Sequence, residues 1–113
     1  MHEPSLQQIP RLVVLISGSG SNLQVLIDAI ADGTIAATIE LVISNKQEAM
    51  GLARANRAGI ATQVINHLDY GSREAFDREL MHAIDDKQPD LIVLAGFMRI
   101  FTPELTHRYE GRM

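Results

Sequence analysis

Five consecutive aliphatic residues, Leu12 to Ile16, run directly into Ser17-Gly-Ser-Gly20, and a helical pattern begins immediately behind them. This junction constrains the fold more than any other stretch of the chain. A short, unbroken β-rich run suits a parallel strand covered on both faces. Ser21 and Gln24 stand at the spacing of a capping box, and Leu23, Leu26, Ile27 and Ile30 recur at helical intervals behind them. A helix is therefore expected from about Ser21. The first N–H groups of a helix lack intrahelical partners, and their partial positive charge favours an anion in front of them. Glycines let that anion approach the main chain closely.

The rest of the chain repeats this alternation. Ile39 to Ile43, Ala61 to Ile65 and Leu91 to Ala95 read as three further strands, with the last expected to be as central as the first. Asp32-Gly33 and Gly59 supply helix stops, and Ser44 with Gln47 or Asn45 with Glu48 offers a capping box for a second helix reaching about Ala58. Ser72 is the expected cap of a third helix. Its inward face is Phe76, Leu80, Ala83 and Ile84, while Arg73, Glu74, Asp77, Arg78 and Glu79 are expected mostly in solvent. Thr102 and Pro103 open a fourth helix from Glu104 to Tyr109.

The order β-α-β-α-β-α-β with right-handed crossovers gives an α/β half-Rossmann fold. Its sheet is open and mainly parallel, in the order 3-2-1-4, with helices on both faces. Residues 1–11 are expected to form a mobile N-terminal extension, and residues 12–113 one domain. In such sheets ligands collect at the carboxyl ends of the strands, beside the switch point. Two loops are expected to meet there, Ser17 to Asn22 and Gly96 to Phe101.

Composition removes several functional classes. A formal net charge of −4 without a basic face argues against a nucleic-acid partner. With no cysteine there are no disulfides, thiolate metal sites or cysteine nucleophiles, which suits a reducing, cytoplasmic setting. No apolar run approaches the roughly 20 residues of a membrane span, and the first ten residues lack a leader pattern. The four histidines show no metal-ligand spacing, so no metal site is expected.

The glycine loop alone is compatible with a tight structural turn or with anion binding. It lacks the third glycine of a dinucleotide fingerprint, where Leu23 stands, and the second strand ends in Ser44-Asn-Lys46 without a ribose-binding acid. The Gly-Lys-Ser/Thr ending of a triphosphate loop is also missing. A phosphomonoester remains, with Ser19, Ser21 and Asn22 available either to bind it or to make the turn. Lys46 reads first as a solvated residue at a helix start. The loop Gly96 to Phe101 carries Phe97, Met98, Ile100 and Phe101 outside a strand, which fits either core packing or an apolar slot for a flat ligand beside Arg99.

Taken together, Leu15-Ile-Ser-Gly-Ser-Gly-Ser-Asn-Leu-Gln24, Ser44-Asn-Lys46, Ser72-Arg-Glu-Ala-Phe-Asp-Arg-Glu-Leu80 and Leu94-Ala-Gly-Phe-Met-Arg-Ile100 closely resemble phosphoribosylglycinamide formyltransferase. The resemblance runs from about Leu12 to Met113. It implies transfer of a formyl group from 10-formyltetrahydrofolate to the amine of glycinamide ribonucleotide, in de novo purine synthesis. It further implies that Gly20, Ser21 and Asn22 hold the substrate phosphate. Leu94, Met98, Arg99, Ile100 and Phe101 would line the folate pocket, Met98 would lie near the amine, and Arg73 would meet the folate's glutamate tail. Ser19 stands where relatives often have asparagine or threonine, and Phe101 where leucine is usual, which is expected to narrow the pterin pocket.

In that family a catalytic asparagine and histidine follow the motif matched by Gly111-Arg-Met113, and an aspartate comes later. They would stabilise the oxyanion and manage proton transfer. On this reading no catalytic residue lies within the chain, the fragment alone is expected to be inactive, and its fourth strand is expected to expose an apolar edge open to self-association. The rival reading is a phosphosugar or mononucleotide binding module without catalysis. A response-regulator-like domain is set aside, because Ser17 and Gly18 occupy the strand end where acidic residues are needed.

Overall fold

In the computed structural model, which describes residues 9–113, the elements are β1 (Arg11–Ile16), α1 (Ser21–Ala31), β2 (Thr38–Ser44), α2 (Met50–Arg57), β3 (Thr62–Val64), a 3₁₀ turn (His67–Asp69), α3 (Arg73–Lys87), β4 (Leu91–Leu94) and α4 (Pro103–Arg108). All strand pairs are parallel, in the order β3-β2-β1-β4. This is the sheet expected from the sequence. β1 begins one residue earlier than expected, because Arg11 is tied at both main-chain groups: its N–H donates to Asp90 Oδ2 (2.8 Å) and its carbonyl accepts from the Asp90 N–H (2.8 Å). The rest of the expected N-terminal extension, up to residue 8, lies outside the described residues.

Parallel strands buried on both faces need two cores, and the two are separate. On one face Val13, Leu15, Leu41, Ile43 and Ile92 pack against Phe76, Leu80, Met81 and Ile84 of α3 and against Leu105 and Tyr109. On the other, Val14, Ile16 and Val42 meet Leu23 of α1 and Ala55 of α2. Alternate residues of β1 therefore serve opposite cores, and each fully buried aliphatic side chain contributes about 1.5–3 kcal/mol.

The sequence-based caps divide into two groups. Ser72 Oγ accepts the Ala75 N–H (3.1 Å) and Thr102 Oγ1 accepts the Leu105 N–H (3.4 Å), as expected. The capping boxes after β1 and β2 do not form. The residue before α1 is Gly20, at φ 78°, with no side chain to cap, and Ser21 is already helical and exposed. Gln24 turns instead to Asp28, donating at 2.9 Å. α2 starts at Met50 behind Ala49, again without a side-chain cap, since Ser44 bonds to Lys46 and Asn45 is buried in tertiary contacts. For Asn45 a long-range bond from Ser17 wins over local capping, whereas Ser44 closes a local bond with Lys46 two residues on.

β4 occupies the edge of this sheet, as the expected order 3-2-1-4 requires, and not the central place that its apolar run suggested. Among the described residues its one hydrogen-bonded strand neighbour is β1, and Leu91 and Leu94 are 44% and 45% exposed. The apolar edge expected from the resemblance is thus present. One outward N–H is already used, as Ile92 donates to the Arg112 carbonyl at 2.6 Å.

Candidate functional site

At the carboxyl ends of β1 and β4 a cavity of about 290 Å³ is lined by Ser17 to Asn22, Lys46, Ala95, Gly96 and Met98. The two loops expected at the switch point do meet here. The first hydrogen bond of α1 runs from the Gln24 N–H to the Gly20 carbonyl (2.8 Å), leaving the N–H groups of Ser21, Asn22 and Leu23 without intrahelical partners. No side chain caps them, and no acid lies in the first turn. The positive end of α1 is therefore bare, and Lys46 on the cavity wall adds to it.

The two glycines of the loop do different things. A Cβ on Gly18 would meet nothing within 4 Å, whereas one on Gly20 would lie 2.4 Å from Gly51 Cα. Gly20 is required by its left-handed backbone and by close packing of the loop on α2. The Gly51 N–H donates to the Gly18 carbonyl (3.1 Å), and Arg54 Nε donates to the Ser19 carbonyl (2.7 Å). Helix α2 thus clamps the loop from behind, while Ser21 and Asn22 at the start of α1 line the cavity.

The second loop is held by side chains. The Met98 N–H donates to Ser17 Oγ (2.9 Å), and the Thr102 N–H donates to Asp77 Oδ2 (2.7 Å). Asp77, expected among solvated charges, is buried, because its oxygen replaces the missing partner of a helix-cap amide. Between these ties Phe97 and Phe101 stack on each other, with centroids 5.4 Å apart, and pack toward the α3 core. The Arg99 guanidinium lies over the Phe76 ring at 5.3 Å. Met98 and Ile100 remain outward, 77% and 74% exposed. The loop is consequently both of the things its sequence allowed, with Phe97, Arg99 and Phe101 packed and Leu94, Met98 and Ile100 displayed.

Of the nine expected site residues, Gly20, Ser21, Asn22 and Met98 line the shared cavity, while Leu94, Arg99, Ile100 and Phe101 lie beside it on β4 and its loop. Arg73 is exposed at the first position of α3. Sequence reasoning missed Ser17, Asn45, Gly51, Arg54 and Asp77. A polar residue directly behind a strand was the one available signal, and it read equally well as a cap.

Beyond the loop, Asp85 fastens α4 to α3. It accepts from Arg108 Nε (2.8 Å) and from the Tyr109 hydroxyl (2.7 Å). Burial pushes its acidity one way and these donors the other, and the donors win, holding the carboxyl below the usual range. Burial, with Asp85 beside it, raises the Tyr109 phenol above its ordinary value. Among the described residues no group of His, Asp or Glu could hold a metal, and no helix is long and apolar enough to cross a membrane.

Residues 10–113 match the family model described as formyl transferase. The chain is 54% identical over 102 residues to the phosphoribosylglycinamide formyltransferase of Escherichia coli, covering 90% of this chain and 48% of that protein. It is 46% identical to the human trifunctional purine biosynthetic protein adenosine-3, covering 91% of this chain and 10% of that one. The solved structure of the Coxiella burnetii phosphoribosylglycinamide formyltransferase superposes with a TM-score of 0.91 at 47% identity, over 94% of this chain and 50% of the other. The chain spans about half the length of the single-function relatives it matches.

Proposed function

This chain belongs to the formyl transferase family, and we propose that it forms the substrate-holding half of a phosphoribosylglycinamide formyltransferase acting in the cytoplasm. Its substrate is glycinamide ribonucleotide, and its formyl donor 10-formyltetrahydrofolate. The observation that carries this reading is the bare N-terminus of α1 facing a cavity closed on its far side by the β4 loop. A monoester phosphate fits there, because three unpaired N–H groups and a nearby lysine offer charge and donors without a nucleoside-reading acid.

Gly20, Ser21 and Asn22 bind that phosphate, the last two through first-turn amides. Leu94, Met98 and Ile100 present the apolar strip for the pterin, and the main chain near Arg99 and Phe101 reads its edge. Arg73, exposed at the start of α3, is available to the donor's carboxylate tail. The donor supplies the one-carbon group when bound, and the residues described here position the two ligands. No side chain lining the cavity pairs a nucleophile with an orienting base, so the role read for this cavity is to hold and orient the ligands.

Two experiments test this. Asn22→Asp places a carboxylate at the helix start without adding bulk, which stabilises α1 while repelling phosphate. Affinity for glycinamide ribonucleotide is expected to fall at least about tenfold with no loss of thermal stability, a change of ~1.4 kcal/mol. Unchanged affinity removes the loop from the site. The second experiment supplies the complementary half of the E. coli relative in trans and measures folate-dependent formylation. Restored folding with no turnover would favour the phosphosugar-binding module instead.

A further inference from the structure

Ser17 stands at the root of both loops. It follows β1, it is the first residue of the phosphate loop, and it is 2% exposed. Main-chain pairing between β1 and the β4 segment ends at the bond from the Ala95 N–H to the Leu15 carbonyl (2.9 Å). Gly96 then turns at φ 80° and the chain leaves the sheet. It is brought back by a side chain, because the Met98 N–H donates to Ser17 Oγ at 2.9 Å. That bond uses a lone pair of the hydroxyl, so the hydroxyl proton goes to Asn45 Oδ1, at 2.6 Å. Asn45 is itself buried at 1% exposure, and its Nδ2 faces His67 Nδ1 at 3.3 Å. The same Nδ1 lies 3.2 Å from the Asn45 carbonyl, so the ring either accepts from Nδ2 as the Nε2–H tautomer or donates to the carbonyl as the Nδ1–H tautomer, and it contacts Asn45 in both. The chain of contacts crosses the ends of all four strands, from His67 behind β3, through Asn45 behind β2 and Ser17 behind β1, to Met98 behind β4.

We infer that Ser17, oriented by Asn45, is a positioning residue that fixes the main chain at Met98 against the phosphate loop. It thereby sets the separation between the anion site and the apolar strip. The inference about the ligands rests on the formyltransferase reading, whereas the fixation of Met98 does not. A buried hydroxyl with both partners satisfied is rigid, and rotation is open to it only after one bond breaks. The Asp77 tie at Thr102 and the packed Phe97 and Phe101 hold the loop on either side, but Met98 itself is 77% exposed, and the bond to Ser17 is what holds its main chain.

Amide hydrogen exchange on the unmodified chain gives the first test. The Met98 N–H is expected to exchange at least about tenfold more slowly than its neighbours Phe97 and Arg99, although it sits in an exposed loop. Exchange at the rate of those neighbours overturns the inference without any variant. Ser17→Ala is then expected to remove the protection at Met98 while leaving the β1 amides protected, and Ser17→Thr, which keeps the hydroxyl, to retain it. Loss of protection across β1 as well, in a chain that still folds, would assign Ser17 to the strand and not to the loop. The ligand arm uses tetrahydrofolate and inorganic phosphate on the same variants. Ser17→Ala is expected to weaken tetrahydrofolate about tenfold and phosphate less than about twofold, a split of roughly 1 kcal/mol. Equal weakening of both overturns the positioning role. Failure of the unmodified chain to bind tetrahydrofolate, with Met98 still protected, would count against the formyltransferase reading and leave the fixation of Met98 standing.

Discussion

The two loops that bound the cavity are built on opposite plans. The first, Ser17 to Asn22, is held from behind by α2, through the Gly51 main chain and the Arg54 side chain, and runs into a helix start whose first amides have no intrahelical partner. The second, Gly96 to Phe101, is tied down by buried side chains of other elements and offers mainly its side chains. Backbone recognition demands glycine at fixed places, and so it tolerates few sequences. Side-chain recognition on a suspended loop leaves the loop's own sequence freer, and places the constraint on Ser17 and Asp77, far away in the chain.

The largest effect that can break this contrast is steric. Gly20→Val would drive a branched side chain into Gly51 Cα, where even a Cβ would lie 2.4 Å away, on a backbone at φ 78°. A loss of about 3 kcal/mol is expected from overpacking and left-handed strain together. Urea denaturation measures it, and a loss no greater than that of Gly18→Ala would mean α2 does not clamp the loop. Gly18→Ala, meeting nothing within 4 Å, is expected to cost less than about 0.5 kcal/mol. A bulky residue at Gly20 consequently reports on packing and not on phosphate binding.

Next in size is the tie at the far end of the second loop. Asp77→Ala strands the buried Thr102 N–H and is expected to cost about 2 kcal/mol. In contrast to Gly20→Val, it should loosen the β4 loop while leaving the first loop intact. Amide exchange confined to residues 97–102 would agree, and equal loosening of Ser19 to Asn22 would dissolve the distinction between the loops.

The smallest effect is electrostatic. Asp85 has a folded pKa below its unfolded value, so its contribution is complete above the unfolded value and lost as pH falls through the folded one. Thermal unfolding followed from about pH 6 to pH 2 should show Asp85→Asn less stable near neutrality, with the gap closing in acid. Parallel curves would show that the ties to Arg108 and Tyr109 carry no net charge dependence.

Much of the fold was legible because its signals are local. The aliphatic runs at Leu12 to Ile16 and Leu91 to Ala95, the stops at Gly33 and Gly59, and the caps at Ser72 and Thr102 each depend on a few neighbouring residues. The failures have different causes. Ser21 is already helical behind a left-handed Gly20, Ser44 bonds locally to Lys46, and Asn45 alone is taken by a distant partner, Ser17. Asp77 looked solvated among four other charged residues of α3, and only the return of the chain at Thr102 gave it a partner.

The sequence by itself determined the strand order, the two-faced core and the strand–glycine–helix junction at Ser17 to Ser21, because alternating apolar runs and glycine placement act over a few residues. The tertiary structure decided what each polar group at the strand ends does. It made Gly20 a packing contact and Ser17 a fixture for a loop 81 residues away, since a hydrogen bond or a van der Waals contact between distant segments exists only once the sheet has brought them together.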